Sequence, residues 1–457
     1  MFRLSSLNKN SYIALFFIIG IFFSVSYAKF NINKFDKNED NKHLMIRGDI
    51  LLIWKEAELF KQDLKKNKNI FGNGAEYRRT FLTSKIIAIY SLINKNDLFE
   101  SYQNIYEDVK IKNGGKFFYL LFQIFLYYLS LIYFYKKLLI YYENKYISFF
   151  VVAYLAVDPN ILQWHGTLWT ESIFISLLVL FIAMLINKEK TLSFCLLIGI
   201  FLGILYLQKT TAIFFIFLVL PYVFLTETKN QIQKCLNIIF GMFIVISFLV
   251  YDNLKKTDTI YFIPKQTKDA YYMTLVPTIY EKNGKVEEYQ ELKEDEENWK
   301  IINNYNIRDF KSENALAEYK KNKSLDVILS NKITTIKICI KNSIAHMILN
   351  PLQTFFWHKY NQKKFLNQEF HLSEESKKYF IFKIFYSLIF YLVILFGLIN
   401  VLKDKKNFKF HILLVFFVTY LIFMLGWVGN SRYFIPSIIF LSIFFGHGLD
   451  YIRKLKK

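Results

Sequence analysis

A set of charged side chains stands at the ends of long apolar runs, where a bland connection could have used Ser or Asn. They are Asp49, Arg78, Arg79, Asp158, His165, Glu171, Lys209, Asp252 and Arg432. An ionisable group costs roughly 2.5–3.5 kcal/mol at the centre of a membrane helix on insertion scales, so such groups tend to face a polar cavity or one another. Glu171 ends the stretch Trp164-His165-Gly166-Thr167-Leu168-Trp169-Thr170-Glu171, about one turn into an apolar run. A carboxylate there can move a proton in a polar cavity, or it can snorkel to the interface. Asp49 opens Asp49-Ile50-Leu51-Leu52-Ile53-Trp54, whose apolar residues could lay a helix on a membrane with Asp49 near its N-terminus. It reads as a functional carboxylate or as an N-cap. Asp158, before Pro159, is equally a turn residue or a ligand contact, and His165 is a hydrogen-bonding loop histidine more than a base. Lys209, in Gln208-Lys209-Thr210-Thr211, and Arg432, in Gly429-Asn430-Ser431-Arg432-Tyr433, are cations in short connections. Either could hold a phosphate, which Arg grips with two parallel bonds and Lys as a point charge, or touch lipid headgroups.

Apolar blocks must position these groups. Of 457 residues, 54% are hydrophobic and 19% aromatic, and the apolar residues come in runs such as Ile173 to Ile186. Blocks long enough to span a bilayer lie at about 11–28, 117–135, 146–159, 168–187, 191–207, 211–226, 235–252, 379–402, 410–428 and 432–450. The expectation is an all-α polytopic membrane protein with about ten transmembrane helices. The first block also carries signal-peptide features, in Arg3, Lys9 and Ser26-Tyr27-Ala28. We read it as a retained span.

Charge sets the orientation. Lys136, Lys137, Lys145, Lys188, Lys190, Lys229, Lys234, Lys403, Lys405, Lys406, Lys409 and the stretch from Arg453 to Lys457 share one face if every block crosses once. The positive-inside rule makes that face cytoplasmic, with both termini inside. The long segments at about 29–116 and 253–378 then lie outside as two non-cytoplasmic loops. The chain divides into an N-terminal transmembrane catalytic module over 1–252, including the outer loop 29–116, a non-cytoplasmic loop region over 253–378, and C-terminal transmembrane helices over 379–457. Ile336, Ile340, Ile344, Met347 and Ile348 share one side of Ile333 to Leu349, with Lys337 and Lys341 off it, which predicts an interfacial helix lying on the membrane surface. The acidic run Glu294 to Glu297 reads as a solvated face.

Several classes are disfavoured. The formal charge of +21 comes from lysines at block ends and in the long loops, without a basic helix or an aromatic RNA motif, so no nucleic-acid partner is expected and anionic lipid headgroups account for the excess. The cysteines Cys195, Cys235 and Cys339 are far apart and form no CxxC, which argues against a zinc site or disulfide framework built on them. There is no P-loop or Rossmann fingerprint.

In this order, the motifs resemble the GT-C class of lipid-phosphate-sugar-dependent glycosyltransferases, which includes protein O-mannosyltransferases and the aminoarabinose transferases acting on lipid A. Asp49, Trp54 and Ala57 match the Asp, aromatic and Ala of the first outer loop. Arg79-Thr80-Phe81-Leu82-Thr83 keeps the Arg of an Arg-x-Pro-x-x-Pro stretch and lacks both prolines. Thr170-Glu171 matches the acidic residue opening a later span, and Lys209 replaces the Arg of an Arg-Pro pair. Tyr251-Asp252-Asn253 has Asp where an Arg is common, and Arg432-Tyr433-Phe434-Ile435-Pro436 matches an Arg-Tyr-x-x-Pro before the last span.

The resemblance implies transfer of a sugar from a polyprenyl-phosphate donor to a hydroxyl of a lipid, glycan or protein acceptor, outside the cytoplasmic membrane. It assigns catalysis to Asp49 and Glu171 and the donor phosphate to Lys209 and Arg432, with Trp54, Arg79, Asp158 and His165 as further acceptor or donor contacts. No metal ligands are assigned and no cofactor is required with certainty, although a divalent metal is compatible with the chemistry. The rival readings are a lipid-linked sugar flippase or transporter, which would favour mid-span charges and inverted repeats, and an oligosaccharide polymerase or ligase.

Overall fold

The apolar blocks wind into helices, the economical solution where a backbone without water must satisfy its own hydrogen bonds. The structure, a computed structural model, describes residues 9–37, 53, 57, 60–62, 64–65, 81–93, 113–167, 169–187, 190–257, 265–306, 310–349, 374–428 and 434–456. These residues contain helices and no strand. In chain order they are α1 (Lys9–Lys37), α2 (Phe81–Ile93), α3 (Asn113–Tyr142), α4 (Lys145–Val157), α5 (Pro159–His165), α6 (Thr170–Leu185) and α7 (Leu192–Gln208). A 3-10 turn, Thr210–Phe214, leads into α8 (Phe215–Thr226) and then α9 (Gln231–Thr257). A polar layer follows in α10 (Lys265–Lys282), α11 (Val286–Ile302), α12 (Phe310–Ser330) and α13 (Lys332–Met347). The chain returns to apolar helices in α14 (Glu374–Leu402), α15 (Phe408–Val428) and α16 (Ile435–Leu455).

Among the described residues, five helices are long and apolar enough to cross a membrane, and α4 with α5, bent by 49°, make a sixth if they count as one broken span. The expected ten are therefore not all met. The blocks at 168–187 and 191–207 fold as helices of 16 and 17 residues, about 24–26 Å at 1.5 Å per residue against a hydrocarbon core of roughly 30 Å. The first of them is enclosed by the bundle, whereas α7 leaves Leu192 and Leu197 exposed. Ile173, Phe174, Ile175, Leu178, Phe181 and Leu185 on α6 are all buried, so its all-round apolar character packs protein.

Close helix contact depends on missing side chains. A Cβ at Gly199 or Gly241 would strike the backbone of the opposite helix where α7 meets α9, and the same holds at Gly397 and Gly448 between α14 and α16. Membrane bundles commonly use small residues this way.

The break between α4 and α5 is chemically complete. Pro159 offers no N–H to the Leu155 carbonyl, and the Asn160 N–H turns to Asp158 Oδ1 at 3.0 Å. The orphaned Leu155 and Ala156 carbonyls accept instead from the hydroxyls of Tyr127 and Tyr128, at 2.7 and 2.8 Å. Two adjacent tyrosines thus satisfy what the proline removes.

The polar layer holds two corrections. Glu296 is buried, because Leu292, Glu296 and Lys300 recur on the inner face of α11, and it pairs with Lys320 at 2.9 Å, Lys300 at 3.0 Å and Lys293 at 3.4 Å. Glu294, Asp295 and Glu297 alone fit the solvated reading. On α13 the Ile333, Ile336, Ile340 and Ile344 stripe faces outward as expected, yet the helix is packed along α15: Asn342 Nδ2 donates to the Gly426 carbonyl at 3.2 Å and Ser343 Oγ to that of Ile422 at 3.1 Å. Just beyond its end, Leu349 N–H donates to Ser387 Oγ in the body of α14 at 2.9 Å.

Candidate functional site

The α4–α5 break, the connection after α5 and the end of α7 gather polar side chains at one end of the bundle. Asp158 caps α5 and also accepts from Asn160 Nδ2 at 2.8 Å and from the Tyr386 hydroxyl on α14 at 3.0 Å. That is the turn role among its two readings, extended by a tie to a distant helix. His165, the last residue of α5, is fully buried against the Tyr127 ring, with Nδ1 2.7 Å from Ser172 Oγ on α6. It is a hydrogen-bonding histidine in the core.

Glu171 lies in the first turn of α6, where the helix dipole favours a carboxylate. Lys209 directly follows the last residue of α7. Lys209 Nζ stands 3.4 Å from Glu171 Oε1, with the side chains 8% and 2% exposed. The ammonium also lies 5.4 Å from the centre of the Phe174 ring, and Thr170 Oγ1 donates to Glu171 Oε2 at 3.2 Å. Beside the pair, Gln208 Nε2 donates to Thr83 Oγ1 at 2.7 Å and to the Thr170 carbonyl at 2.9 Å, binding α2, α6 and α7 together.

Gln208 and Thr83 were missed as site residues, although both fall inside motifs quoted above. An uncharged side chain carries no sign of its partner, and Gln208 and Thr83 are 125 positions apart. Of the expected residues, the structure brings together Glu171 and Lys209 and holds Asp158 and His165 nearby, hydrogen-bonded to Asn160, Tyr386 and Ser172. Asp49, Trp54, Arg79 and Arg432 lie outside the described residues. Ile53, Ala57 and Phe60, which follow Asp49 at helical spacing, are buried with Ala28, Tyr119 and Ile173. That cluster places Ile53, Ala57 and Phe60 beside the first turn of α6. Among the described residues, no group of three His, Cys, Asp or Glu side chains that could hold a metal includes Glu171 or Asp158.

Comparison with solved structures gives one detailed likeness. The archaeal oligosaccharyltransferase AglB from Archaeoglobus fulgidus, determined with an inhibitory peptide and a dolichol-phosphate, superposes with a TM-score of 0.51 over 98% of this chain and 51% of its own, at 11% identity. At the level of the fold, this is a GT-C architecture. The likeness at that identity concerns the fold alone, and the chain spans about half the length of the oligosaccharyltransferase. No family model matches the chain. No curated protein matches it either.

Proposed function

We propose that the chain is a membrane glycosyltransferase that moves a sugar from a polyprenyl-phosphate donor to an acceptor hydroxyl at the non-cytoplasmic face of the cytoplasmic membrane. The observation carrying the proposal is the buried Glu171–Lys209 pair at the end of a bundle with the GT-C fold. A buried ion pair is at best weakly stabilising against an apolar alternative, so a pair retained at a helix-end junction is a candidate for chemistry.

The chemistry follows from charge. As the acceptor hydroxyl attacks the anomeric carbon, Asp49 takes its proton as general base. The glycosidic bond to phosphate breaks and negative charge grows on the departing phosphate, which Lys209 and Arg432 stabilise. Glu171 holds the Lys209 ammonium, whose donors rotate, so that it can turn toward a phosphate oxygen while keeping its carboxylate partner. The prenyl tail stays among the apolar helices.

The test is turnover by the purified chain in nanodiscs with a polyprenyl-phosphate sugar, alongside mass spectrometry of envelope glycans and glycoproteins from cells with and without the protein. The expected result is consumption of the lipid-linked sugar, lowered by roughly 10²–10⁴-fold in Asp49→Asn, which keeps the shape but cannot take the proton. Lipid-linked sugar that crosses the bilayer unconsumed would replace this reading with a flippase. A lengthened glycan chain would identify a polymerase.

A further inference from the structure

A second polar cluster lies at the other end of the bundle. That end is marked by Lys409 Nζ donating to the Leu225 carbonyl at 2.7 Å, Lys190 paired with Glu227 at 3.3 Å, and Asn144 Nδ2 donating to Asp450 Oδ2 at 3.1 Å. The α6 helix separates it from Glu171 by its whole length.

Here Asp404, in the turn before α15, His411, in the first turn of α15, and His447, on α16, each bring one ligand-type atom within 4.8 Å of the other two. Both histidines are buried at 2% exposure, and His411 Nδ1 and His447 Nε2 have no hydrogen-bond partner among the described residues. Leaving a buried polar nitrogen unpaired is costly, because its hydration is lost and not replaced. Two such atoms beside a carboxylate call for a shared ligand.

The other ring nitrogens are already engaged. His411 Nε2 lies 2.9 Å from the Tyr142 hydroxyl, and His447 Nδ1 lies 3.4 Å from the Asn400 amide. Metal-bound imidazoles characteristically have the second nitrogen oriented by such a neighbour. The lone pair needed on His447 Nε2 is available when Nδ1 carries the proton and donates to the Asn400 amide oxygen, a flip of that amide which gives up the bond from Asn400 Nδ2 to the His447 carbonyl at 3.2 Å. Asn407 donates to both Asp404 oxygens, at 3.3 Å from its backbone and 2.9 Å from its amide, and so holds the carboxylate at the mouth. Glycines flank His447: Gly446 abuts α4 and Gly448 abuts α14, which leaves the histidine to the side where α15 packs.

We infer that Asp404, His411 and His447 form a zinc-class divalent metal site, distinct from the glycosyl-transfer end. Three atoms within 4.8 Å of one another have a common point no more than about 2.8 Å from each, so shifts of about 0.7 Å reach the 2.0–2.2 Å of zinc bonds to His and Asp. Two imidazoles and one carboxylate suit zinc and its first-row neighbours, whereas magnesium and calcium take oxygen ligands. The ion would clamp the first turn of α15 to α16.

The test uses the full-length chain, purified in detergent, stripped with a chelator and titrated with zinc and with cobalt(II). Wild type should take up about one zinc equivalent and gain thermal stability, and bound cobalt should give the visible bands of a low-coordinate site. His411→Gln and His447→Gln should lose at least about tenfold in zinc affinity. Asp404→Asn covers the case in which the histidine variants fail to fold, since Asn keeps the side-chain oxygen that accepts from the Asn407 N–H in this turn. It should fold like wild type and still bind zinc at least about tenfold more weakly. Wild type that takes up no zinc, or uptake unchanged in all three variants, overturns the site.

Discussion

Lys209 meets Glu171 from the end of α7 while Glu171 rises from the start of α6, so their ion pair, with the Gln208–Thr170 hydrogen bond beside it, fastens the two ends of that helical hairpin. Both groups are buried, and a buried charge that loses its partner is far worse than no charge. Lys209→Met and Glu171→Gln should each destabilise the protein by about 3–5 kcal/mol for a fully strict pair, with less for Gln, whose amide is neutral. The double substitution should recover much of that loss. Thermal unfolding in one detergent gives the cycle. If the pair only stabilises, the double variant should also recover turnover; if Lys209 serves the phosphate, stability returns without it.

Topology carries its own check. The basic short loops set the expected orientation, so reporter fusions after Lys190, Lys234 and Lys406 should report cytoplasm, and fusions near Lys68 and Glu296 should report the outside. Long loops reporting cytoplasm would place the Glu171–Lys209 end on the wrong face for a lipid-linked donor presented outside.

The apolar blocks were legible because burial in protein and exposure to lipid demand the same residue types, and each expected block has a helix. For the same reason the sequence does not fix how long each helix is: α6 and α7 are as apolar as any span and fold as helices of 16 and 17 residues. Glu171 and Lys209 stood out as charges in apolar settings. Their pairing did not: the short connection between the blocks at 168–187 and 191–207 turns the chain back and brings both groups to one face, but it does not set the register that joins them. Glu296 was misread because its neighbours Asp295 and Glu297 are exposed, and only the packing of α12, which supplies Lys320, shows that the face is inward. The histidines of the second cluster are likewise joined only by the packing of α15 on α16.

Glu296 predicts an acid transition local to the polar layer. Burial raises its carboxyl pKa, but hydrogen bonds from Lys320 and Lys300 and the charges of Lys320 and Lys293 outweigh that, and it falls from 4.5 to about 2. A carboxylate depressed on folding contributes stability that is complete above the unfolded value and is lost as pH falls through the folded one. The loss should therefore run from about pH 4.5 down to about pH 2. Hydrogen exchange of α11 and α12 in the full chain should rise over that window. In Glu296→Gln exchange should already be fast at neutral pH, with a cost of about 2 kcal/mol, and this part of the pH dependence should vanish. An unchanged acid profile in the variant would assign the transition to other carboxylates.

Arg432 separates donor binding from membrane anchoring. It stands three positions ahead of α16, whose first residues are Ile435 and Pro436, in a short connection that the orientation places outside, where an excess basic residue is disfavoured. A guanidinium holds phosphate through two parallel bonds that an ammonium cannot reproduce. If Arg432 grips the lipid-linked phosphate, Arg432→Lys should weaken donor binding despite its charge, by roughly tenfold for about 1.4 kcal/mol lost, and Arg432→Ala should weaken it further while leaving acceptor binding nearly intact. A headgroup contact gives another pattern: Lys restores binding in full and Ala changes it little, because lipid phosphates are plentiful and exposed pairs contribute only about 0–1 kcal/mol. Affinity for a polyprenyl-phosphate analogue in nanodiscs distinguishes the two, and unchanged affinity in both variants would leave Arg432 as an anchor and Lys209 as the cation nearest the transferred phosphate.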